Sequence, residues 1–233
     1  FSASMSSRYD DAYLQTMAKR GIKFSDGLSE KMDGSPFNRL DAVRLNDTIQ
    51  DIFAKQGVSE LKCVMKTSPD GGVHLSWKGE GVDIQRAFRV NGDGVKYVDH
   101  ELFSLDRKLQ GQGVSRKVFK ALYEQYRVAG VERIELYANI DIGGYAWARY
   151  GFCVKSRNEA ISAIRFSALT ARQEKRIVDL IDGHFDASSS PFPMNKIASL
   201  PYGKKALLGS YWDGMLDLTD TQQRRVFERY LRR

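Results

Sequence analysis

The sequence is poor in the residue types that form disulfide frameworks and metal centres. It contains only two cysteines and three histidines, and no histidine stands at a spacing typical of zinc ligands. Cys63 and Cys153 lie far apart beside apolar residues, which favours buried free thiols in a reducing compartment over a disulfide. We therefore expect neither a disulfide framework nor a metal site.

Long hydrophobic runs are also missing. No apolar stretch approaches the roughly 18 residues that a membrane-spanning helix needs, and the first residues hold no apolar core of a signal peptide. Of the 233 residues, 42% are hydrophobic and 28% are charged, a balance typical of globular proteins. Because the sequence begins with Phe1 rather than Met, we expect a processed product or a piece of a longer chain.

The charge balance is basic, with a formal net charge of +7 and a pI near 9.3. This favours anionic partners, and a nucleotide cofactor with several phosphates fits as well as a nucleic acid does. The basic residues are scattered except at 224–225 and 232–233, where Arg pairs are interpreted as a solvated helix face. A nucleic-acid-binding domain is therefore the weaker interpretation.

Hydrophobic periodicity divides the chain into three parts. Residues 1–36 are polar and predict an N-terminal arm that is mobile or loosely packed. Residues 37–155 predict a folded core, which begins with a helix over 37–56. Four strand-like segments separated by turn signals then predict an antiparallel meander: 61–65, 73–77, 82–90 and 95–105. Residues 156–233 predict a mostly helical extension, with helices over 168–182 and 220–231.

The period changes from two to about four after Gly113. Apolar residues recur every four positions and predict an amphipathic helix: Val114, Val118, Leu122 and Tyr126. An alternating strand over 134–138, a short helix over 142–150 and an extended segment over 152–154 follow. The sequence thus predicts an α+β fold, in which a meander is followed by helix, strand, helix and strand.

A glycine-rich loop joins the last strand of the meander to this helix. Gly111 and Gly113 let the backbone turn tightly, and the free N–H groups of the first helical turn then face an anion such as pyrophosphate. Arg116 and Lys117 are close enough in sequence to add positive charge. The loop lacks the Gly-Lys-Ser/Thr of a Walker loop and the third glycine of a dinucleotide-binding fingerprint. A plain turn before a helix is the alternative.

Two motifs in this order resemble the GNAT N-acetyltransferase superfamily. Residues 110–115, Gln-Gly-Gln-Gly-Val-Ser, are similar to the family's acyl-CoA pyrophosphate loop, Gln/Arg-x-x-Gly-x-Gly/Ala, although Ser115 replaces the usual Gly or Ala. Residues 139–152, which end in Tyr-x-Trp-Ala-x-Tyr-Gly-Phe, resemble the short helix that closes in Gly-Phe. The order of elements is similar over residues 40–155, and the motifs are specific from about 97 to 153.

The resemblance implies an acyl-CoA site built from the strand, the loop and the helix. The strand end at residues 103–105 would pair with pantetheine, the loop backbone would hold the pyrophosphate, and Asn139 and Tyr145 would lie beside the thioester. With Arg116 added for its charge, the expected cofactor-binding residues are Phe103, Ser104, Leu105, Gln110, Gly111, Gln112, Gly113, Val114, Ser115, Arg116 and Asn139.

Candidate acid and base groups flank the loop. Asp99 and Glu101 alternate onto one face of the preceding strand, and His100 lies on the other. Several family members take a general base from this strand, so we expect one carboxylate to accept the amine proton, directly or through water; solvated carboxylates are the alternative. The family's usual tyrosine acid is replaced by Trp147, which leaves Tyr145 as the candidate or as a packing residue.

The sequence therefore predicts a cytoplasmic N-acetyltransferase. It would transfer an acetyl group from acetyl-CoA, or another acyl group from its acyl-CoA, to an amine, and the sequence does not identify this amine. The alternative is a GNAT-fold module of weak or no catalysis, serving a structural role in a larger phage or mobile-element protein and located with the virion. The block over residues 143–147 resembles such embedded domains more faintly. We expect the C-terminal extension either to shape the acceptor side or to dock to a protein partner.

Overall fold

The computed structural model describes residues 6–111, 113–138 and 143–233 of the chain. The chain divides into two compact units, Phe1–Glu132 and Arg133–Arg233. Each unit combines helices with β-strands, so the mixed α/β class is confirmed. The division of the chain at residues 36 and 155 stays a prediction. Within the described residues, no helix has the length and apolar character needed to cross a membrane.

The described part of the N-terminal segment, residues 6–36, is packed onto the first unit. Helix α1 (Asp11–Lys19) begins where the Asp10 carboxylate accepts a hydrogen bond from a backbone N–H of the first turn. Strand β1 (Ile22–Phe24) and helix α2 (Leu28–Asp33) follow, and β1 pairs in parallel with strand β2 (Lys62–Thr67). The buried apolar side chains of the segment are Tyr9, Met17, Ile22, Leu28 and Met32. The expectation of a loose arm is wrong here because each short element buries one or two apolar side chains.

Helix α3 (Ala42–Ala54) confirms the helix predicted over residues 37–56, in a shorter form. The Asp41 carboxylate caps its first turn by accepting from the Arg44 N–H. The buried face contains Leu45, Ile49 and Phe53, which recur every four positions. One face of the helix is therefore packed against the core.

The antiparallel meander predicted from the turn signals is confirmed. Strand β2 pairs with β3 (Val73–Gly79), β3 with β4 (Val82–Val90), and β4 with β5 (Lys96–Leu105). The register shifts once, because Ala87 pairs with Asp99 whereas Gln85 pairs with Leu102. Strand β5 thus contains one residue more than β4 at this point, a β-bulge of the kind that re-aims side chains.

Helix α4 (Val114–Val128) follows the meander and confirms the amphipathic helix. Its residues at four-position spacing are buried as predicted: Val114, Val118, Leu122 and Tyr126. The helix contacts α3, and the buried Gln125 side chain accepts a hydrogen bond from the Asp41 N–H at the start of α3. Helix α4 is therefore held by apolar packing along its length and by a polar contact to its neighbour.

The second unit is a small sheet surrounded by helices. Its elements in chain order are β6 (Arg133–Ala138), α5 (Gly143–Arg149), β7 (Cys153–Val154), α6 (Arg157–Ala163), α7 (Ala171–Ala187), β8 (Phe192–Pro193), α8 (Asn195–Ala198), α9 (Gly203–Leu207), β9 (Trp212–Asp217) and α10 (Thr221–Leu231). Strand β9 lies between β6 and β7 and pairs antiparallel with both, and β7 also pairs with β8. The C-terminal extension is thus not only helical, because it contributes a strand to the interior of this sheet.

The predicted helices of the extension are found with shifted starts or ends. Helix α7 begins at Ala171, where Thr170 and Gln173 form a reciprocal capping box. Helix α10 begins after Asp220, whose carboxylate accepts from the N–H groups of Gln222 and Gln223. Asp220 is therefore the N-cap of this helix.

Candidate functional site

The glycine loop, residues 110–115, has a backbone that depends on its two glycines. Gly111 and Gly113 have φ angles of 76° and 71°, in the left-handed region, and among the described residues only glycines have positive φ. An added Cβ at either position would meet no described atom within 4 Å. The glycines are therefore required for the turn of the backbone, and no described residue fills the space in front of them.

Hydrogen bonds behind the loop hold its base. The Gln110 side-chain amide donates to the Leu105 carbonyl at 2.8 Å, and the Asp106 N–H donates to the Gly81 carbonyl at 2.8 Å. Leu109 is buried between these contacts and the loop. Gln110, predicted to bind cofactor, thus also braces the loop against the end of β5. Gln112 lies outside the described residues.

The start of helix α4 has several features that favour a bound anion. Gly113 occupies the cap position, and no described side chain caps the first turn. Val114 is buried and Ser115 is half-buried, so the backbone at this end is anchored by the core. The first turn contains no acidic side chain, and four basic residues flank the loop: Arg107, Lys108, Arg116 and Lys117. Helix dipole and side-chain charge therefore both favour a negative ligand here.

The strand residues predicted to pair with pantetheine lie at the end of β5. Phe103 and Leu105 point into the core and are 7% exposed, whereas Ser104 is half-buried. Their backbones pair with β4 on one side, with Phe103 opposite Ile84 and Leu105 opposite Val82. The structure thus places these residues just before the loop, as expected, and their contact with pantetheine stays a prediction.

The two candidate bases on β5 have different surroundings. Glu101 is exposed, and its two carboxylate oxygens contact the Arg89 guanidinium at 3.0 Å and the His74 ring at 3.1 Å. Asp99 is half-buried, and its charge favours the protonated form of Arg86. Both Glu101 oxygens are therefore engaged, and the choice of base between the two carboxylates stays a prediction.

A buried polar cluster that the sequence interpretation missed lies at the bulge between β4 and β5. The fully buried Arg86 guanidinium donates through Nη1 to the carbonyls of Gln85 and Leu102, both at 2.9 Å. It also lies over the rings of Phe103 and Phe119, at 5.6 and 5.9 Å from their centroids. The bond to Leu102 ties β4 to β5 at the first paired position beyond the bulge.

The rest of the Arg86 guanidinium is incompletely satisfied. Its Nε and Nη2 atoms make no hydrogen bond of good geometry within the described residues, although the Tyr126 hydroxyl is close enough to favour the charged form. Burial lowers the pKa of Arg86, and the neighbouring Tyr126 and Asp99 oppose that shift. Burial also raises the pKa of Tyr126 to about 12, against the effect of the Arg86 charge.

His100 belongs to this cluster and not to the candidate bases. It is 8% exposed, and its Nε2 lies 2.7 Å from the Tyr126 hydroxyl, on the face of β5 opposite Asp99. Burial, and then the Arg86 charge, hold the pKa of His100 well below its ordinary value of 6.5. The imidazole is therefore neutral at neutral pH, and its Nε2 atom can accept a hydrogen bond from the Tyr126 hydroxyl.

We expect His100 to make the folded protein sensitive to acid. Its folded-state pKa is lowered, so below about pH 6.5 the unfolded chain binds the proton more readily and stability falls with pH. His100→Gln should remove this loss, which is at most about 1.7 kcal/mol between pH 6.5 and 5. Urea unfolding at several pH values in this range measures the free energy of unfolding, with His184→Gln as the control. If that free energy falls with pH equally in His100→Gln and in the wild type, His100 is not a buried neutral imidazole.

The candidate residues after β6 lie in the second unit. Asn139 falls outside the described residues. Tyr145 on α5 is half-buried, and the Arg149 guanidinium lies over its ring at 5.5 Å. Trp147 is 5% exposed and packs edge to face with Phe152 at 5.3 Å, so this replacement of the usual tyrosine is a core residue. The catalytic role of Tyr145 stays a prediction.

Neither cysteine is placed as a nucleophile. Cys63 and Cys153 are both buried and free, and burial raises the pKa of each thiol to about 12. A thiol with so high a pKa is poorly reactive near neutral pH. Among the described residues, no group of three or more His, Cys, Asp or Glu side chains is arranged to hold a metal ion.

Comparisons with known proteins do not identify the chain. No protein-family model matches it, and a search of curated proteins gives no significant match. Its function has therefore to be inferred from the geometry of the glycine loop and from the resemblance of the loop motif.

Proposed function

We propose that the protein binds an acyl-CoA at the glycine loop and transfers the acyl group to an amine. The observation that carries the proposal is the pair of left-handed glycines, open on their outer side, at the uncapped start of α4. A backbone of this shape directs N–H groups at a pyrophosphate without a dedicated cationic side chain. The order of elements, a meander followed by α4, β6, α5 and β7, supports the same proposal.

Charge near the loop suits coenzyme A. Residues 106–117 contain four basic side chains, and their only acidic side chain is that of Asp106. A pyrophosphate and a further phosphate on one ligand would gain from this excess of positive charge. The proposal therefore assigns pyrophosphate binding to the loop backbone, and long-range attraction to the basic side chains.

The residues of β5 supply the proton chemistry in this proposal. Asp99 accepts the proton that the amine loses while its nitrogen bonds to the acyl carbon and the bond from that carbon to sulfur breaks. The departing sulfur takes up a proton, for which Tyr145 remains the candidate donor. Glu101, held by Arg89 and His74, would shape the charge of the strand face and not accept the proton.

Comparing two carboxamide variants tests this assignment. We expect Asp99→Asn to lower the rate of acyl transfer by a factor of about 100, within the usual range for a lost general base, while CoA binding is unchanged. Glu101→Gln should lower the rate by less than about threefold, because its oxygens already contact Arg89 and His74. Release of free CoA thiol from acetyl-CoA, measured with a panel of amines, gives the rates. A larger loss for Glu101→Gln than for Asp99→Asn would reverse the assignment.

A module without catalysis is the second candidate, and one observation favours it. Trp147 occupies the position at which GNAT acetyltransferases usually have the tyrosine that protonates the leaving thiolate. Its side chain is buried against Phe152. Binding of CoA by the folded wild type without release of thiol for any amine tested would support this candidate. Transfer that depends on Asp99 would exclude it.

A further inference from the structure

A pocket rich in arginine lies in the second unit, beside the ends of α5, α8 and α10. Its volume is about 260 Å³, and its polar lining consists of Arg149, Asn195, Ser199, Arg229, Tyr230 and Arg233. No acidic side chain lines it within the described residues. Three arginines thus line one small space together with an asparagine, a serine and a tyrosine, and the side chains of all six can donate hydrogen bonds.

Two of the three arginines in this pocket have no ion-pair partner among the described residues. Arg149 and Arg229 form no ion pair with any described residue, and the nearest acidic residue along α10, Glu228, is paired with Arg224 at 3.7 Å. Like charges brought close together repel each other. Such an arrangement is stabilised when an anion enters between them.

Aromatic side chains hold two of the guanidiniums in place. Arg149 and Arg233 both lie over the Tyr230 ring, at 5.1 and 5.6 Å from its centroid. Tyr230 is itself fixed by an edge contact with Tyr150, with the ring centroids 4.3 Å apart. Arginines that are positioned before a ligand arrives lose less side-chain entropy on binding.

We infer that this pocket binds a phosphate monoester. Guanidinium groups match the paired oxygens of phosphate, and three of them suit a group that carries almost two negative charges at neutral pH. The Asn195 amide and the Ser199 hydroxyl would supply further donors. A phosphodiester carries one negative charge and two non-bridging oxygens, whereas a monoester carries almost two charges and three such oxygens. The backbone of a nucleic acid therefore fits the pocket less well.

Titration of the full chain with inorganic phosphate, followed by ³¹P and protein NMR, tests the inference. We expect saturable binding at one site, and we expect Arg229→Gln to weaken it at least about tenfold, as for a lost charged hydrogen bond. Arg229 is exposed, so the substitution should leave the fold unchanged. Arg225→Gln is the matched control, because Arg225 lies one turn earlier on α10, is also exposed, and does not line the pocket.

The outcomes separate this inference from the proposed acyl-CoA site. Phosphate binding that survives Gly113→Trp and is lost in Arg229→Gln would support a second, independent site. No saturable phosphate binding, or equal weakening in Arg225→Gln and Arg229→Gln, would overturn it. Tighter binding of a single-stranded oligonucleotide that depends on both arginines would also overturn it, in favour of a basic helix face.

Discussion

Gly113→Trp is expected to abolish coenzyme A binding. The added side chain projects from a backbone with φ of 71° into space where no described atom lies within 4 Å, and there the indole would occupy the position proposed for the pyrophosphate. Loss of two or more charge-assisted hydrogen bonds corresponds to about 3–5 kcal/mol, or a more than hundredfold weaker dissociation constant. Calorimetric titration of wild type and variant with CoA measures the change.

Two further variants separate blocking from misfolding. Gly92→Trp adds the same side chain at a turn of the first unit where a Cβ also meets nothing within 4 Å and no left-handed φ is needed, and it should bind CoA like the wild type. Gly113→Asn tests the backbone, because Asn tolerates the left-handed region better than other side chains; it should melt close to the wild type. Undiminished CoA binding by folded Gly113→Trp would show that the loop is not the phosphate site.

Arg86→Ala is expected to be among the most destabilising substitutions in the first unit. It removes the two hydrogen bonds to the carbonyls of Gln85 and Leu102 and the contacts with Phe103 and Phe119. It also leaves a cavity in the core, since Arg86 is fully buried. Together these losses amount to about 3–4 kcal/mol of the free energy of unfolding, which urea denaturation followed by circular dichroism measures.

Arg86→Met is the matched variant for this site. Methionine refills much of the volume and removes a buried charge whose Nε and Nη2 make no good hydrogen bond within the described residues. Replacing a poorly satisfied buried cation with an apolar side chain often costs little, so we expect a loss of about 1 kcal/mol or less. If Met is as damaging as Ala, the carbonyl hydrogen bonds at the bulge, and not the packing, carry the contribution of Arg86.

The meander and helix α4 were predictable because their patterns are local. Strands β2 to β5 are separated by turn residues, and α4 repeats an apolar residue every four positions up to Tyr126. Strand β9 has no such pattern, since Gly214, Met215 and Leu216 are buried in succession. A strand buried on both faces loses alternation, so a central strand in the C-terminal extension could not be read from periodicity.

The N-terminal segment was misjudged for a related reason. Its composition is polar, but the side chains of Tyr9, Met17 and Ile22 are each at most 2% exposed. Single apolar residues in short elements give no periodic signal, and their burial depends on partners distant in sequence, such as Leu40, whose carbonyl accepts the Tyr9 hydroxyl at 2.7 Å. Packing of this kind is decided by tertiary structure and not by the local sequence.

The glycine loop of the candidate site could be predicted from the sequence, but the side-chain contacts around it could not. The glycines, the strand before them and the helix after them could be assigned from residues 97–128 alone. The contacts of Glu101 with His74 and Arg89 depend on the register of three strands, and the burial of Arg86 depends on a bulge that no turn signal marks. An arginine in an alternating strand is ordinarily assigned to solvent, so this cluster was invisible in the sequence.

Titration of the folded wild-type chain with coenzyme A and with acetyl-CoA tests the central claim most directly. We predict saturable binding at one site for both ligands, with a dissociation constant in the micromolar range that weakens as salt is added, because phosphates and basic side chains contribute. Absence of binding heat and of thermal stabilisation, in a protein whose cooperative unfolding shows that it is folded, would contradict the acyl-CoA site. The transferase proposal would fall with it.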